Sequence, residues 1–233
     1  MTATPPIAAE ILAGDEKILV LAPHPDDESL ACGGLLANAF AGAGAHVVCM
    51  TDGSASHPGS TDWPANKLAE KRHEELKEAL TLLGGTADDF TWLGLPDSQL
   101  HEVDAEEIVV RLEEVIESEQ VRHVFVPAQE DKHCDHKTTA RIAGIVRARR
   151  PDINFYSYPV WSRWDDPDFA SCAASHRAVT LENATAAARK RAAISAHRSQ
   201  LGEVVQDDPE GFVLPAGFVE KFVGESEIFW RMP

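Results

Sequence analysis

The chain has 233 residues and carries 38 acidic against 21 basic residues, which gives a formal net charge of −17. This length is sufficient for one domain with a substantial core, and the negative charge argues against nucleic acid or an anionic membrane surface as a partner. The four cysteines are scattered and no apolar run reaches the length of a membrane span, so we expect a reduced, cytoplasmic protein without a disulfide framework.

Apolar runs of strand length alternate with segments of helical length through the first two thirds of the chain. Strands are predicted at residues 18–22, 47–51, 90–93, 124–126 and 153–158. Helices are predicted between them at residues 30–43, 65–83, 105–118 and 137–149, and several end at Gly or Pro. This alternation predicts a single α/β domain over residues 1–233, a Rossmann-like three-layer sandwich with a mostly parallel sheet covered on both faces.

The last third of the chain is less regular. Residues 161–168 mix aromatic and charged side chains, and we interpret them as a long loop or the rim of a lid. Residues 184–196 form an Ala- and Arg-rich helical segment, and residues 227–231 are predicted as a final strand.

The segment after the first predicted strand combines a histidine with three carboxylates, His24, Asp26, Asp27 and Glu28. Ionisable groups at the end of a buried strand are costly unless a partner compensates their charge. A divalent cation such as zinc is the simplest partner, because neutral imidazole and ionised carboxylate both bind it well. The alternative is the acidic N-terminus of a helix, which explains one or two of the carboxylates but not the whole group.

A second polar cluster, residues 131–136, follows the fourth predicted strand and contains two histidines three positions apart. Alone it is equally well explained as a surface loop with incidental histidines. In parallel sheets, however, ligands bind outside the carboxyl ends of the strands, so both clusters are expected at one edge. Together they can supply two imidazoles and one carboxylate and leave a position open for water, which is typical of a catalytic zinc site.

Both clusters resemble the hallmark motifs of the PIG-L or LmbE-like family of zinc-dependent N-acetylglucosaminyl deacetylases. The chain reads Pro-His-Pro-Asp-Asp-Glu at residues 23–28, followed by Gly33-Gly34, and His-Cys-Asp-His at residues 133–136. Further similarities are Arg72 with Glu75, Leu-Pro-Asp at residues 95–97, and His-Arg-Ser-Gln at residues 197–200. The resemblance spans nearly the whole chain.

This resemblance implies an LmbE-like deacetylase fold and a role for each matching residue. His24, Asp27 and His136 become the ligands of a Zn²⁺ ion, and Asp26 becomes the general base. His133 stabilises the oxyanion, best as a protonated imidazole whose loss would lower activity at alkaline pH, and Asp135 orients it. The substrate-binding residues implied are Arg72 and Asp97, although an arginine on a helix is also a common surface residue and Leu-Pro-Asp also suits a turn.

The implied reaction removes the N-acetyl group from an amino sugar or a GlcNAc-containing glycoconjugate. Two alternatives stay open: a metal-dependent amidase or esterase acting on a non-sugar substrate, and a non-catalytic metal- or nucleotide-binding module. The expected partner is a small molecule, and a homo-oligomer is compatible with the sequence.

Cys134 stands where the family usually has proline, and we expect its thiol to point away from the ligand pair. Trp161 and Trp164 either stack on a sugar face or cover the core.

Overall fold

The computed structural model describes residues 16–182 and 184–232. The ends of the predicted domain therefore lie outside the described residues. Seven strands form one sheet: β1 (Ile18–Ala22), β2 (Ala45–Thr51), β3 (Phe90–Leu95), β4 (His123–Pro127), β5 (Asn154–Tyr158), β6 (Val179–Leu181) and β7 (Glu227–Arg231). The helices are α1 (Asp27–Phe40), α2 (Ala65–Leu83), α3 (Ala105–Ser118), α4 (Cys134–Arg149), α5 (Trp161–Asp165), α6 (Phe169–Ser175), α7 (Ala187–Ala196) and α8 (Phe218–Gly224).

The strand order is β3-β2-β1-β4-β5-β7-β6. The first five strands are parallel, with Ile18 of β1 opposite Ala45 of β2 and His123 of β4. Strand β7 runs antiparallel to both β5 and β6. The prediction of a mostly parallel sheet is confirmed, with an antiparallel extension at one edge.

Helices cover both faces of the sheet because successive side chains of a strand point to opposite sides. Ile18, Val20 and Ala22 of β1 belong to a core shared with α1, α2, α7 and α8. Leu19 and Leu21 belong to a second core shared with α3 and α4. These two cores and the sheet between them give the three-layer α/β domain expected from the alternating pattern.

The helices begin earlier than predicted where the polar clusters lie. Helix α1 begins at Asp27, three residues before the predicted start, and α4 begins at Cys134 rather than at residue 137. Each cluster therefore spans the end of a loop and the first turn of a helix. Residues 161–168, interpreted above as a loop or lid rim, instead begin with the short helix α5. Among the described residues, no helix is both long and apolar enough to cross a membrane.

Candidate metal-dependent active site

The polar clusters meet at the carboxyl edge of the sheet, beside the junction of β1 and β4. Strand β2, which follows β1 in the chain, pairs with one edge of β1, whereas β4 pairs with the other edge. The loops that follow β1 and β4 therefore diverge and leave a crevice between them, the usual ligand position in open α/β sheets.

His24, Asp27 and His136 converge in this crevice. Asp27 Oδ2 lies 3.2 Å from His24 Nδ1 and 3.2 Å from His136 Nε2. All three residues are buried, and one potential ligand atom from each lies within 4.8 Å of the others. Two imidazole nitrogens around one carboxylate match the donor set that divalent transition metals prefer.

The tautomer of His136 is set by Asp131, a fully buried carboxylate at the start of the second cluster. Asp131 Oδ2 lies 2.9 Å from His136 Nδ1, and the same carboxylate accepts hydrogen bonds from the backbone N–H and hydroxyl of Ser162. His136 Nδ1 thus donates its proton to Asp131, and Nε2 is left buried without a hydrogen-bond partner among the described residues. An imidazole oriented by a carboxylate, with its other nitrogen unpaired, is typical of a metal ligand.

His24 has carboxylate partners on its second nitrogen as well. Its Nε2 lies 3.2 Å from Asp135 Oδ2 and 3.3 Å from Asp97 Oδ1. A second group of potential ligands, His24, Asp97, His133 and Asp135, therefore shares His24 with the first. Only the first group contains an unpaired buried nitrogen, so it fits a metal ion better.

The charges of this cluster compensate each other strongly. Burial alone would raise the pKa of Asp27, but His136 and His24 beside it hold that pKa well below its usual range. Burial alone would lower the pKa of His136, but the charge of Asp27 and the hydrogen bond with Asp131 raise it to about 9. Without a cation, the imidazoles thus hold protons that offset the buried carboxylates.

Asp26 adjoins the trio in an unusual backbone conformation, with φ 153° and ψ −28°. Arg72 holds it there, since Nη2 donates to Asp26 Oδ2 at 3.2 Å and to the carbonyl oxygen of Pro25 at 2.9 Å. Nη1 of Arg72 donates to the carbonyl oxygen of Gly53, whose φ is 66°; a Cβ at Gly53 would lie only 2.5 Å from that nitrogen. Burial raises the pKa of Asp26 to about 6, although the Arg72 guanidinium opposes the shift.

His133 precedes α4 and caps it. Its Nδ1 accepts a hydrogen bond from the backbone N–H of Asp135 at 3.2 Å, so a neutral ring carries its proton on Nε2. Burial and the neighbouring charges of His24 and His136 lower the pKa of His133 to about 4. The ring is therefore neutral near pH 7, contrary to the protonated imidazole expected from the sequence.

The Asp135 carboxylate has partners other than the expected one. Its Oδ2 lies 4.0 Å from His133 Nδ1, beyond hydrogen-bond distance, but accepts from the backbone N–H of Ser98 at 2.7 Å and contacts His24 Nε2. His133 is oriented by the Asp135 backbone, whereas the carboxylate orients His24. Cys134 is exposed, with Sγ 3.6 Å from the carbonyl oxygen of Ser98, and belongs to neither ligand group.

A cavity of about 170 Å³ opens above the trio. Its lining combines polar side chains with four apolar ones, Leu30, Trp161, Phe212 and Leu214, which are called the apolar wall below. Both tryptophans contact Phe218 of the core, with ring centroids 5.4 Å away for Trp161 and 4.9 Å away for Trp164. Trp161 also lines the cavity, so it fits both alternatives, whereas Trp164 fits the core.

Two segments that follow and precede lining residues of the cavity are held together by carboxylates. Asp207 accepts hydrogen bonds from Ser60 Oγ at 2.6 Å and from the backbone N–H groups of Thr61 and Asp62. Asp208 accepts from the backbone N–H of Gly59 at 2.8 Å. These contacts fix residues 207–208 against residues 59–62.

The segment at residues 197–200 also reaches the cavity, which spacing along the chain does not reveal. His197 Nε2 lies 3.2 Å from Glu28 Oε1, and Gln200 lines the cavity. The only sequence signal for this placement is the family-like His-Arg-Ser-Gln segment, because residues 28 and 197 are far apart in the chain.

Residues 19–146 match the PIG-L family, described as GlcNAc-PI de-N-acetylase. Since the match covers more than half of the chain and includes both polar clusters, the protein belongs to this deacetylase family.

Individual relatives agree with this assignment. An Escherichia coli (strain K12) protein, described as uncharacterized deacetylase YaiS, is 29% identical over 154 residues, which are 63% of this chain and 75% of that protein. The N,N'-diacetylchitobiose deacetylase from Pyrococcus horikoshii, solved with its inhibitor MPG, is similar with a TM-score of 0.70 and 22% identity over 96% of this chain and 86% of that chain.

The same fold also carries other chemistry. GalB, the 4-carboxy-2-hydroxymuconate hydratase from Pseudomonas putida KT2440, is similar with a TM-score of 0.63 and 20% identity over 78% of each chain. At these identities the solved structures show the fold alone, and the reaction must be argued from the side chains of the site.

Proposed function

We propose that the protein is a zinc-dependent hydrolase that removes the N-acetyl group from an amino sugar or from a GlcNAc-containing glycoconjugate. The observation that carries the proposal is the unpaired, buried His136 Nε2 beside Asp27 and His24, with the carboxylate of Asp26 in the same cavity. His24, Asp27 and His136 would hold the ion and leave a position for water. Bound zinc would polarise the acetamide carbonyl and lower the pKa of the attacking water.

Asp26 is assigned the role of general base. With a pKa of about 6 it is mostly ionised at neutral pH, and Arg72 fixes its orientation. Water adds to the carbonyl carbon and gives its proton to Asp26. That proton then passes to the amide nitrogen as the C–N bond breaks, so that acetate and a free amine leave.

His133 is assigned the stabilisation of the oxyanion. Its Nδ1 is occupied by the Asp135 N–H, so the neutral ring presents Nε2–H as a donor. Asp135 and Asp97 are assigned to hold His24, and Asp97 also lines the cavity where substrate would bind. Arg72 lines the cavity too, but both of its terminal nitrogens already donate to protein acceptors, which favours positioning of Asp26 over direct binding of substrate.

A metal-dependent amidase acting on a non-sugar substrate is the second candidate. The apolar wall formed by Leu30, Trp161, Phe212 and Leu214 favours it, because such a wall accepts an alkyl or aromatic group as readily as a sugar face.

The test combines metal analysis with acetate release. Zinc-loaded protein is assayed on N-acetylglucosamine, an N-acetylated peptide and a simple acetamide. We expect stoichiometric zinc and the highest kcat/KM on the sugar, whereas His136→Ala should lose most of its zinc and its turnover. Stoichiometric zinc in His136→Ala would contradict the ligand assignment, and a preference for the peptide would favour the second candidate.

A further inference from the structure

Gln200 occupies a firmly held position in the cavity wall. It lies in the short 3₁₀ helix Arg198–Leu201 and is only 1% exposed. The neighbouring Ser199 is tied to Glu75 of α2 through its backbone N–H, at 3.0 Å, and through its hydroxyl, at 2.6 Å. The backbone carbonyl oxygen of Gln200 accepts from Leu214 N–H at 2.8 Å. Hydrogen bonds therefore hold the backbone on both sides of the Gln200 side chain.

The surrounding hydrogen bonds determine which way the Gln200 amide faces. The Ser199 hydroxyl donates its proton to the Glu75 carboxylate, so it can only accept from Gln200. Gln200 Nε2 donates to Ser199 Oγ at 3.0 Å and to Ser56 Oγ at 3.3 Å. Both amide protons are therefore directed at the protein, and a flipped amide would place two acceptors against each other.

The consequence is an unused acceptor in the cavity wall. Across residues 16–182 and 184–232, no protein donor hydrogen-bonds to Gln200 Oε1, and the residue lines the cavity. This oxygen is not one of the fully buried, unpaired polar atoms of the described residues, so it is open to the cavity and available to a ligand that brings an O–H or N–H group.

We infer that Gln200 determines substrate specificity by accepting a hydrogen bond, through Oε1, from a ring hydroxyl of the substrate. This inference rests on the proposed deacetylase function and assigns the recognition of the hydroxylated ring to a single residue. The apolar wall agrees, since Leu214 hydrogen-bonds to Gln200 and lies beside Phe212 and Trp161 in the same cavity. A sugar ring offers hydroxyl donors at its edge and C–H groups on its face, which match these two surfaces.

The test compares two substrates on two matched variants. N-acetylglucosamine and N-acetylcyclohexylamine share the ring and the acetamide, but only the former has hydroxyl groups. Gln200→Leu removes the acceptor with little change in size. Gln206→Leu is the control, because Gln206 is exposed and donates only to the carbonyl oxygen of Gly202. Zinc content and melting temperature are measured for every protein.

Gln200→Leu should lower kcat/KM for N-acetylglucosamine about 10- to 100-fold and change it less than about threefold for N-acetylcyclohexylamine. Gln206→Leu should have the same kcat/KM as the wild type for both substrates. Equal losses on the two substrates would overturn the inference and indicate that Gln200 contacts the amide or only supports the fold. If Gln200→Leu does not fold, Gln200→Met, which is unbranched and of similar length, replaces it.

Binding calorimetry separates failure of this inference from failure of the proposed function. Glucosamine and cyclohexylamine, the two amine products, are titrated into the wild type and Gln200→Leu. Tighter binding of glucosamine that disappears in Gln200→Leu supports the role of Gln200 even if neither acetamide is hydrolysed, in which case only the proposed reaction fails. Equal binding of the two amines by the wild type overturns the inference whatever the turnover.

Discussion

Asp26 combines burial, a neighbouring carboxylate and a positive φ, each of which is unfavourable by itself. A non-glycine residue held in a sparsely populated backbone region costs on the order of 1–3 kcal/mol and persists only when its surroundings fix it. Arg72, through its bonds to Asp26, Pro25 and Gly53, supplies that constraint. A carboxylate that is held in place beside the candidate metal ligands, in the same cavity, suits the proposed general base, and this motivates the first residue-level prediction.

Asp26→Asn should keep its zinc and lose about 10²–10⁴ in hydrolysis rate, the usual contribution of a general base. Asparagine tolerates a positive φ better than most residues, so the fold should be retained. Zinc content and acetate release are the measurements, and Asp152→Asn, at an exposed carboxylate, is the control. Full zinc with a near-normal rate would exclude the role of Asp26.

His133→Ala should lower kcat about 10²–10³-fold with little change in KM or zinc affinity, because the contact forms with the oxyanion. His133→Gln should recover part of the rate, since an amide N–H can replace Nε2–H. Burial lowers the pKa of His133, so the ring is expected to be neutral at neutral and alkaline pH and to cause no alkaline loss of activity. Hydrolysis rates measured between pH 6 and 9 check the absence of an alkaline loss. A large loss of zinc affinity in His133→Ala would instead identify His133 as a metal ligand.

At the scale of elements, α1, α7 and β7 are joined by a buried ion pair. Glu227 of β7 accepts from Lys190 Nζ of α7 at 2.6 Å and from the backbone N–H groups of Gly34 and Leu35 in α1. The stem of Lys190 crosses α1 at Gly33, where a Cβ would lie 2.8 Å from Lys190 Cγ. Helix α1, which begins with Asp27, is thereby fixed on the sheet far from its first turn.

Lys190→Met should lower the free energy of unfolding by about 3–5 kcal/mol, because it leaves the Glu227 carboxylate buried without its cation. The double variant Lys190→Met with Glu227→Gln should recover part of the loss. Urea denaturation measures both. Arg191 lies on the same helix as Lys190 and forms an exposed ion pair with Glu220 of α8. Arg191→Met breaks this pair and should leave the urea midpoint nearly unchanged. Equal effects at positions 190 and 191 would contradict the structural role of the buried pair.

The elements that sequence patterns predicted well are those with long periodic signals. The predicted bounds of residues 65–83 and 105–118 agree with α2 and α3, and all five predicted parallel strands form. The short elements β6, α6 and α8 were not predicted, because three to seven residues show too little periodicity. The convergence of the two polar clusters could be predicted because parallel strands bring their carboxyl ends to one edge. The orientation of the Gln200 amide could not be predicted, since it depends on the tertiary contact between Ser199 and Glu75 and on the one between Gln200 and Ser56.

At the scale of the whole molecule, a protein of net charge −17 places several carboxylates around one small cavity. Without a cation, His24 and His136 hold protons, since their neighbouring carboxylates raise both pKa values against the effect of burial. Because a metal ion needs neutral imidazoles, its binding must displace those protons.

Zinc binding should therefore release protons at pH 7, and the apparent affinity should rise between pH 7 and about 9, the pKa of His136. Over that range protons compete with zinc for both rings, and the competition weakens as the pH rises. Calorimetry in two buffers of different ionisation enthalpy counts the protons. His101→Ala, at an exposed histidine, should release the same number. A binding heat that is independent of the buffer would contradict this coupling.

The residues proposed for the reaction all lie within residues 19–146, which match the family, whereas Trp161, Gln200, Phe212 and Leu214 lie beyond that match. Protein engineering can therefore exchange these four residues without changing a group proposed to react. Because Asp207 and Asp208 bond to residues 59–62 and Gln200 bonds to Ser56, residues 56–62 and 200–214 form one transplantable cassette. Exchanging both stretches together between relatives should transfer substrate preference, whereas grafting residues 200–214 alone should lose these hydrogen bonds.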